Sequence, residues 1–577
     1  MRYFLKYFKP YLPAFILLVF FVCGQGYVNL ILPDYTAKIV NDGISQKKLD
    51  IVWSLGEQML LVTILGGLFS MGVSFLAAKI SVGHARRLRE AIFSKVESFS
   101  LDEFNNFSTS SLITRATNDI QQIQSVFYML MRMTFLAPFM GIGAVIKANH
   151  LAPSMFWIIL AAVGSLIVVM IILFLVAVPK FTIIQKMVDK LGLQIQEMLV
   201  GVRVIRAYDK DREQNKKFDG TNRESTNLNI FVGRLMSIIQ PGMTLIMGLA
   251  SVAVVWLGAY LIGANKLNIG NVVALIQYVI QTIFSFFMLS IIFITIPRAA
   301  VSVKRIEEIL STAPQIKDPV QPLSWANKVK GIIEFKEVSF SYKGSEHPVL
   351  NNISFVARPG QTTAIIGSTG SGKSTLLSLI LRLYDVTVGS VTLDGVDVRQ
   401  ITQHKLHEQI GYVPQKASLF FGTIKSNILY GDRQAKKGEI DQAATIAQAT
   451  EFIESNLAGL DHPIAQGGAN ISGGQKQRLS IARALIKKAP IFLFDDSFSA
   501  LDFQTDAALR QALKSQLKNA TIIIVAQRIS TILQADNILV LENGQIVGQG
   551  RHADLLKTCR VYKEIAESQL SAAELNS

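Results

Sequence analysis

A glycine-rich segment carries the residue types and the spacing that most clearly indicate chemistry. Residues 367–375, GSTGSGKST, follow the strand-like TTAII and precede the helix-like LLSLILRLY. Glycines at this spacing let backbone N–H groups surround phosphates at the start of a helix, where Lys373 reaches the β and γ phosphates and the Ser374 hydroxyl binds Mg²⁺. The segment therefore predicts a nucleotide site. The residues expected to contact the nucleotide are Gly367, Ser368, Thr369, Gly370, Ser371, Gly372, Lys373, Ser374 and Thr375.

Two adjacent acids end the strand-like run in residues 491–502, IFLFDDSFSALD. Asp495, at the end of the apolar run, is placed to hold Mg²⁺, through water as that ion prefers. Asp496 then faces the γ-phosphate, where a general base orients the attacking water. We therefore expect ATP and Mg²⁺ as the ligands of this site, with an unusually short acid at the position of the base.

The elements that position these residues divide the chain of 577 residues into two parts of different hydropathy. The first part contains six runs without charged side chains, and five of them reach the roughly 20 residues that cross a hydrocarbon core. The third run is short and is flanked by Arg132, but the basic loops share one side of the membrane only if it also crosses. The expected spans are residues 11–33, 55–78, 130–147, 153–179, 238–263 and 269–296.

A polar segment, residues 301–330, is expected to link the two parts, since Pro314, Pro319 and Pro322 interrupt it. Residues 331–577 contain short apolar runs separated by polar turns, which indicates a soluble α/β domain. The expected fold class is a membrane α-helical domain, residues 1–300, followed by an α/β P-loop NTPase domain, residues 331–577.

The net charge of +15 is distributed in a pattern typical of membrane proteins. Lys and Arg concentrate at the N-terminus and in residues 79–115 and 180–234, whereas the alternate loops carry few. By the positive-inside rule, the N-terminus, the two long basic loops and the C-terminal half are expected to be cytoplasmic. The charge is thus expected to serve orientation and contact with the lipid bilayer, and no nucleic acid is expected as a partner.

The two basic loops keep apolar residues at helical spacing, such as Leu88, Ile92, Val96 and Phe99. This spacing predicts helices that continue past the bilayer and are joined in pairs by short turns. Their tips are expected to stand roughly 25 Å or more from the membrane.

Arg132 precedes an apolar run too short to span alone, so its guanidinium is expected at or inside the inner leaflet. Two interpretations are open. The side chain extends to the interface, as long basic side chains do, or it faces a water-filled cavity, where it meets an anionic substrate or an internal carboxylate.

Several motifs of the last 250 residues resemble those of the nucleotide-binding domain of ATP-binding cassette (ABC) transporters. They are the phosphate loop, ISGGQKQR at 471–478, Gln415 in YVPQ, and SALD at 499–502. With the six spans and two long loops, the whole chain resembles an ABC exporter half-transporter. STSSLITRATND, residues 108–119, is similar to the first coupling segment of that family, with Ser111 where a glycine is usual.

The resemblance implies a role for residues that spacing alone does not single out. Tyr342 would stack on adenine, and Gln415 would contact Mg²⁺ together with Ser374 and Asp495. Asp502 of SALD would belong to the catalytic set. The signature would bind the γ-phosphate of ATP held by the opposite subunit, so that a dimer is required. Its residues are Ser472, Gly473, Gly474 and Gln475.

Two positions depart from the family pattern. Asp496 stands where glutamate is usual and Gln527 where histidine is usual. Aspartate is one methylene shorter, so it draws back about 1 Å from the water that it must contact, and glutamine cannot carry the charge of a protonated imidazole. We expect a site that binds ATP and cleaves it slowly. The intact signature would then serve a competent site on another chain, as in bacterial heterodimeric multidrug exporters.

The expected function is ATP-driven export of hydrophobic or amphipathic compounds across the bacterial cytoplasmic membrane, by one half of a heterodimeric ABC exporter. A dedicated lipid or peptide exporter and a non-transporting, ATP-dependent membrane sensor are the alternatives. A soluble cassette protein of repair or translation is excluded by the six spans.

Overall fold

The computed structural model describes residues 6–570, except for the side chains at positions 174, 178, 182, 293, 294 and 298. These residues form two compact units, which are described separately. The first contains residues up to Glu97 together with Thr109–Thr312, and the second contains Ser98–Ser108 together with the chain from Ala313 onward.

In its described residues the first unit consists of helices joined by short turns, and six of them are long and apolar enough to cross a membrane. The prediction of six membrane-spanning helices is thus confirmed. Large apolar side chains such as Leu61 and Leu68 are exposed on its surface, as expected where lipid replaces water as the solvent. The helices are α1 (Leu12–Lys38), α2 (Leu49–Glu97), α4 (Thr109–Thr114), α5 (Ile120–Leu151), α6 (Phe156–Ala207), α7 (Asp211–Ser237), α8 (Ile239–Gly263) and α9 (Ile269–Ser311).

Most of these helices are longer than a membrane crossing requires. Helix α2 has 49 residues and α6 has 52, whereas about 20 residues cross the hydrocarbon core. The helical spacing noted at Leu88 and Ile92 buries both side chains inside the unit. Leu88, Ile92 and Val96 therefore belong to an extension of the span, whereas Phe99 lies beyond the end of α2 at Glu97 and the expectation of helix there is wrong.

The segment assigned to the linker begins later than the sequence indicates. Helix α9 continues through residues 301–311, because Ile306, Ile309 and Leu310 recur at helical spacing and are buried. The fall in hydropathy near residue 298 marks a change in composition and not the end of the helix.

Polar contacts join three helices of the first unit at one end of the spans. The hydroxyl of Tyr278 on α9 donates to Oδ1 of Asp34 on α1 at 2.6 Å, and Nζ of Lys147 on α5 lies 2.6 Å from Oδ2 of the same carboxylate.

Close approach of the helices also needs small residues, since a Cβ on Gly26 would lie 2.5 Å from the ring of Phe139.

The coupling-like segment is tied to the last helix of the first unit. Residues Arg115–Asp119 form a short π-helix between α4 and α5. Nη1 of Arg115 donates to Oε2 of Glu308 at 2.7 Å, and the hydroxyl of Ser302 donates to Oδ1 of Asp119 at 2.7 Å. Both partners lie on α9.

The second unit contains a short helix from the middle of the chain, α3 (Leu101–Asn106). Leu101 packs on the apolar core that covers one face of the main sheet. Oε1 of Glu103 accepts a hydrogen bond from the backbone of Gln315 at 3.2 Å.

The rest of the second unit is an α/β domain with two principal sheets. An antiparallel sheet has the strand order β2-β1-β4-β5, and a six-stranded sheet has the order β12-β11-β3-β10-β9-β6. The strands are β1 (Ile333–Phe340), β2 (Leu350–Ala357), β3 (Thr362–Gly367), β4 (Val388–Leu393), β5 (Val396–Asp397), β6 (Ile410–Val413), β7 (Gly422–Thr423), β8 (Pro463–Ile464), β9 (Ile491–Asp495), β10 (Thr521–Val525), β11 (Asn537–Glu542) and β12 (Gln545–Gly550).

Helices cover the six-stranded sheet and connect its strands, and both faces are packed with buried apolar side chains. They are α10 (Lys373–Ile380), α11 (Gln403–Glu408), α12 (Ile424–Ile428), α13 (Lys437–Ile446), α14 (Thr450–Glu454), α15 (Gly473–Leu485), α16 (Phe503–Gln516), α17 (Ile529–Ile532), α18 (His552–Thr558) and α19 (Arg560–Gln569).

Strand register decides which residues meet at the edge of this sheet. Strand β10 pairs in parallel with β3 on one side and with β9 on the other, and Val525 pairs with both Ile365 and Asp495. Because parallel strands end at the same edge, the phosphate loop after β3, the acids at the end of β9 and Gln527 beyond β10 lie together.

Candidate nucleotide-binding site

The phosphate loop runs from the end of β3 at Gly367 to the start of α10 at Lys373. Two of its glycines have backbone conformations that L side chains rarely adopt, with φ of +85° at Gly370 and +98° at Gly372. A Cβ on Gly372 would also lie 2.6 Å from Cδ2 of Leu350. The loop is therefore a glycine-dependent cradle at a helix amino terminus, a geometry suited to phosphate.

The lysine of the loop is held inside this cradle. Nζ of Lys373 donates to the carbonyl oxygens of Gly367 at 2.8 Å and Ser368 at 2.7 Å. Burial lowers the pKa of Lys373, and the charges of Asp495 and Asp496 oppose that shift. An ammonium group has three donors, so one remains for a phosphate oxygen.

The hydroxyl of Ser371 supports the fit of a phosphate group. It is buried in the loop, and within the described part of the chain it has no hydrogen-bond partner. Buried polar groups without partners are uncommon and call for an explanation, and an oxygen-rich anion in the cradle supplies one.

A hydroxyl and a carboxylate next to the loop fit a magnesium ion. The Ser374 hydroxyl donates to Oδ1 of Asp495 at 2.9 Å, and burial raises the pKa of this aspartate. Mg²⁺ is commonly held by one or two carboxylates together with phosphate oxygens. Ser374 and Asp495 would hold the ion there, and when bound it neutralises phosphate charge. Groups of three or more His, Cys, Asp or Glu side chains suited to a metal are absent among the described residues.

Asp496 is buried and fixed on three sides. Its Oδ2 accepts a hydrogen bond from Nε2 of Gln527 at 2.8 Å and a longer one from Nε2 of Gln415 at 3.3 Å. The Ser499 hydroxyl donates to its backbone carbonyl at 3.0 Å, and its own N–H donates to Val525 at 2.9 Å. Burial raises the pKa of Asp496, while the hydrogen bond from Gln415 and the charge of Lys373 oppose that shift.

Sequence reasoning missed the direct contact of the two side chains that depart from the family pattern. Strand pairing between Val525 and Asp495 brings residues 496 and 527 together, and a φ of +46° at Asp496 turns its side chain. It also missed Ser499, whose hydroxyl fixes the backbone of Asp496. The order of strands β9 and β10 in the sheet was the information that sequence patterns lacked.

Tyr342 lies beside the end of the phosphate loop. Its hydroxyl forms a 2.9 Å hydrogen bond with the hydroxyl of Thr375, and its ring stands nearly perpendicular to those of Phe340 and Tyr384. These contacts fix the orientation of a half-buried aromatic ring next to the cradle, in a position compatible with contact to a nucleotide base.

The signature forms the amino terminus of α15. Ser472 and Gln475 bond reciprocally, with Oγ of Ser472 accepting from the backbone of Gln475 at 3.3 Å and Oε1 of Gln475 accepting from the backbone of Ser472 at 3.0 Å. Ser472 and Gly473 are exposed. Hydrogen bonds or ion pairs from the signature to the phosphate loop are absent within residues 6–570.

Asp502 is the amino-terminal cap of α16, where Oδ1 accepts from the backbone of Thr505 at 2.9 Å. That hydrogen bond lowers the pKa of this exposed carboxyl. In the structure its contacts are those of a helix cap, and its expected catalytic part stays a prediction.

Comparison with known proteins bears on the whole chain. Residues 350–499 match the ABC transporter family, and residues 15–286 match the ABC transporter transmembrane region. An uncharacterized ABC transporter ATP-binding protein of Mycobacterium tuberculosis is 38% identical over 571 residues, 98% of each chain. The chain belongs to the ABC transporter family.

Two further relatives carry names that state a function. The probable multidrug resistance ABC transporter ATP-binding/permease protein YheI of Bacillus subtilis is 36% identical over 68% of this chain and 66% of its own length. The ATP-dependent lipid A-core flippase of Syntrophus aciditrophicus is 28% identical over 98% of this chain and 94% of its own. A bacterial Atm1-family ABC exporter with ATP bound shares the fold, with a TM-score of 0.81, 24% identity and coverage of 98% and 99%.

These matches define the chain as an ABC exporter half-transporter, with a transmembrane part and one ABC domain. An ABC domain binds ATP, and the chain is accordingly a membrane-embedded, ATP-hydrolysing exporter in contact with the lipid bilayer.

Proposed function

We propose that this chain is the degenerate-site half of a heterodimeric exporter of amphipathic compounds, and that its phosphate loop binds ATP while hydrolysing it poorly. The observation that carries the proposal is the 2.8 Å hydrogen bond from Gln527 to Asp496. It joins the two side chains that differ from the family pattern and uses one of the two carboxylate oxygens of the candidate general base.

Asp496 is limited as a general base by its short side chain and by the hydrogen bonds that it already accepts. Its basicity does not limit it. Burial raises its pKa, which by itself favours acceptance of a proton. Oδ2, however, already accepts hydrogen bonds from Gln527 and Gln415, and the side chain is one methylene shorter than glutamate. A water placed for glutamate would therefore lie beyond the hydrogen-bonding reach of Asp496.

ATP binding at this site is supported by the complete cradle around Lys373, the buried hydroxyl of Ser371 and the pair formed by Ser374 and Asp495. Tyr342 would contact the adenine. Gln415, which bonds Asp496, would also lie near the ion. This composite site would be completed by the signature of a second chain.

The signature of this chain supports a partner with a competent site. Ser472 is exposed at the start of a 13-residue helix, and a Cβ on Gly474 would lie 3.2 Å from the carbonyl of Ala500. The signature thus keeps an intact anion-binding helix start, whereas the hydrolytic residues of the same chain are weakened. This combination suits a second half-transporter that supplies the catalytic glutamate.

The proposed cargo is a small amphipathic molecule, and the proposed location is the bacterial cytoplasmic membrane with both termini in the cytoplasm. The placement of basic residues at 79–115 and 180–234 supports that orientation. Of the relatives, one is named a probable multidrug resistance transporter and another a lipid A-core flippase, and the proposed class of amphipathic molecules includes both drugs and lipids. A dedicated lipid exporter is therefore the second candidate.

The test is ATPase measurement on the chain co-purified with its partner. Asp496→Ala is expected to retain most of the turnover, as is Asp461→Ala, a matched change at an exposed aspartate. Replacing the catalytic glutamate of the partner by glutamine is expected to reduce turnover by about 100-fold or more. Full substrate-stimulated turnover by a homodimer of this chain would overturn the proposal. Transport of a purified lipid but of no other amphiphile would favour the second candidate.

A further inference from the structure

Among the spans that the structure describes, α5 is the one whose longest uncharged stretch is shorter than a membrane crossing, and Arg132 borders that stretch. Five spans contain uncharged stretches of at least twenty residues, whereas the longest uncharged stretch of α5 is residues 133–146. A hydrocarbon core of about 30 Å needs about 20 helical residues. Helix α5 must therefore bring a charge into the membrane, and the other spans need not.

The depth of Arg132 follows from the far end of α5. Lys147 pairs with Asp34 at 2.6 Å there, a polar contact suited to the interface. Twenty residues back along α5 from Lys147 is Phe127, about 30 Å away at 1.5 Å per residue. Arg132 thus lies five residues, about 7 Å, inside the other boundary of the hydrocarbon.

The guanidinium of Arg132 has more N–H donors than its one hydrogen bond to Tyr128 uses. Nη1 donates to the hydroxyl of Tyr128 at 3.2 Å, and the guanidinium carbon lies 5.5 Å from the centre of the same ring. Arginine has five N–H donors. Among the described residues Arg132 has no carboxylate partner, in contrast to Lys147 with Asp34 and Arg115 with Glu308.

The surroundings of Arg132 are apolar and aromatic. Met131 is packed with Leu76, Ile80 and Tyr128 in one buried cluster. Phe135, one turn along α5, is 37% exposed. A half-buried cation in such a place is costly to hold without an anion, and intramembrane ionisable residues commonly mark ligand sites.

We propose that Arg132 binds the anionic head group of the transported amphiphile, a carboxylate or a phosphate monoester, while Tyr128 orients the guanidinium and neighbouring apolar side chains contact the tail. This inference rests on the proposed export function and narrows its substrate class. Of the acids in the spans, Asp34 is bonded to both Lys147 and Tyr278. Arg132 would repel a cationic amphiphile, and the described residues place no carboxylate in contact with Arg132 to attract one.

The experiment compares three probes with the same twelve-carbon tail, dodecyl phosphate, dodecyl maltoside and dodecyltrimethylammonium. The chain and its partner are reconstituted in phosphatidylcholine vesicles with or without phosphatidylglycerol, and ATP-dependent accumulation is measured. The variants are Arg132→Gln, Arg132→Lys and, as a matched control, Arg89→Gln, an exposed arginine on α2.

Arg132→Gln is expected to raise KM for dodecyl phosphate by about tenfold or more, the usual effect of losing a hydrogen bond to a charged group. KM for the other two probes should stay within about twofold, and Arg132→Lys should be intermediate for dodecyl phosphate. Arg89→Gln should leave KM for all three probes and basal ATPase unchanged.

Several results would overturn the proposal. An equal loss for all three probes would mean a structural role for Arg132. Preferential transport of dodecyltrimethylammonium would contradict the substrate class. An effect confined to vesicles with phosphatidylglycerol would show that Arg132 holds a lipid head group. If no probe accumulates while ATP is hydrolysed, the export of amphiphiles itself fails, a result distinct from the other three.

Discussion

The side-chain nitrogen of Gln527 lies 2.8 Å from Oδ2 of Asp496. The two residues are brought together by pairing of strands β10 and β9. An amide donor at this position can stabilise a carboxylate, but it cannot be protonated as imidazole can. The two departures from the family pattern therefore form one hydrogen-bonded pair, in which the amide of Gln527 donates to the carboxylate of Asp496.

Restoring hydrolysis at this site should require both changes. In a heterodimer whose partner glutamate is replaced by glutamine, Asp496→Glu with Gln527→His is expected to raise ATP turnover by about tenfold or more, and each single change by much less. A glutamate alone still meets the amide of Gln527, and φ of +46° at position 496 suits aspartate better than longer side chains. Additive single effects, measured by ATPase rates, would contradict the coupling.

Glycine substitutions in the phosphate loop should separate backbone strain from steric overlap. Gly370→Ala adds a methyl group with nothing within 4 Å, at φ of +85°, whereas Gly372→Ala adds one 2.6 Å from Leu350 at φ of +98°. The left-handed conformation costs about 1–2 kcal/mol in either variant. We expect a modest loss of ATP affinity for Gly370→Ala and a larger loss for Gly372→Ala, measured with a fluorescent ATP analogue. Equal losses would mean that overlap with Leu350 is relieved easily.

Tyr342 offers a test of base contact. Tyr342→Phe removes the hydrogen bond to Thr375 and keeps the ring, whereas Tyr342→Ala removes the aromatic face. Since stacking of a base on an aromatic side chain contributes about 1–3 kcal/mol, Tyr342→Ala should weaken ATP binding by at least about fivefold and Tyr342→Phe by less than about twofold. Similar losses of ATP affinity in both variants would assign the effect to the hydroxyl.

Stability of the nucleotide-free protein should depend on pH through the buried acids. Burial raises the pKa of Asp496 in the folded state. A carboxyl with a higher pKa folded than unfolded destabilises the fold above that pKa, and the penalty disappears as pH falls toward the unfolded value. Asp496→Asn should therefore have a higher apparent Tm than the wild type at neutral pH, and the difference should vanish in acid. Asp461→Asn, at an exposed site, should show no such trend.

Sequence patterns predicted the chemistry of single elements better than the contacts between them. Apolar runs such as residues 151–179 exceed the membrane thickness, so the spans were predictable from length and hydropathy alone. The start of the linker was placed too early, because α9 continues to Ser311 and Ile306, Ile309 and Leu310 are buried by packing within the unit. Hydropathy does not distinguish a helix leaving lipid from a helix that ends.

The site shows the same division. The phosphate loop is a local motif, and its glycines and Lys373 stand where the pattern predicts. The contact between Asp496 and Gln527 depends on the order and register of β9 and β10, which no local pattern contains. The role of Asp502 as a helix cap was not predicted either, because the SALD motif was interpreted only in terms of catalysis.

The position of the short helix α3 in the chain limits how the two units can be exchanged by recombination. The helix lies within Ser98–Ser108, a segment of the second unit, although the chain before and after that segment belongs to the first. A fragment that begins at Ala313 would lack Leu101, which packs on an apolar core of the second unit, and Glu103, which accepts a hydrogen bond from the backbone of Gln315. The two units are thus interleaved along the chain. Recombination at a single crossover cannot exchange one of them for a foreign counterpart without leaving α3 mismatched to its neighbours.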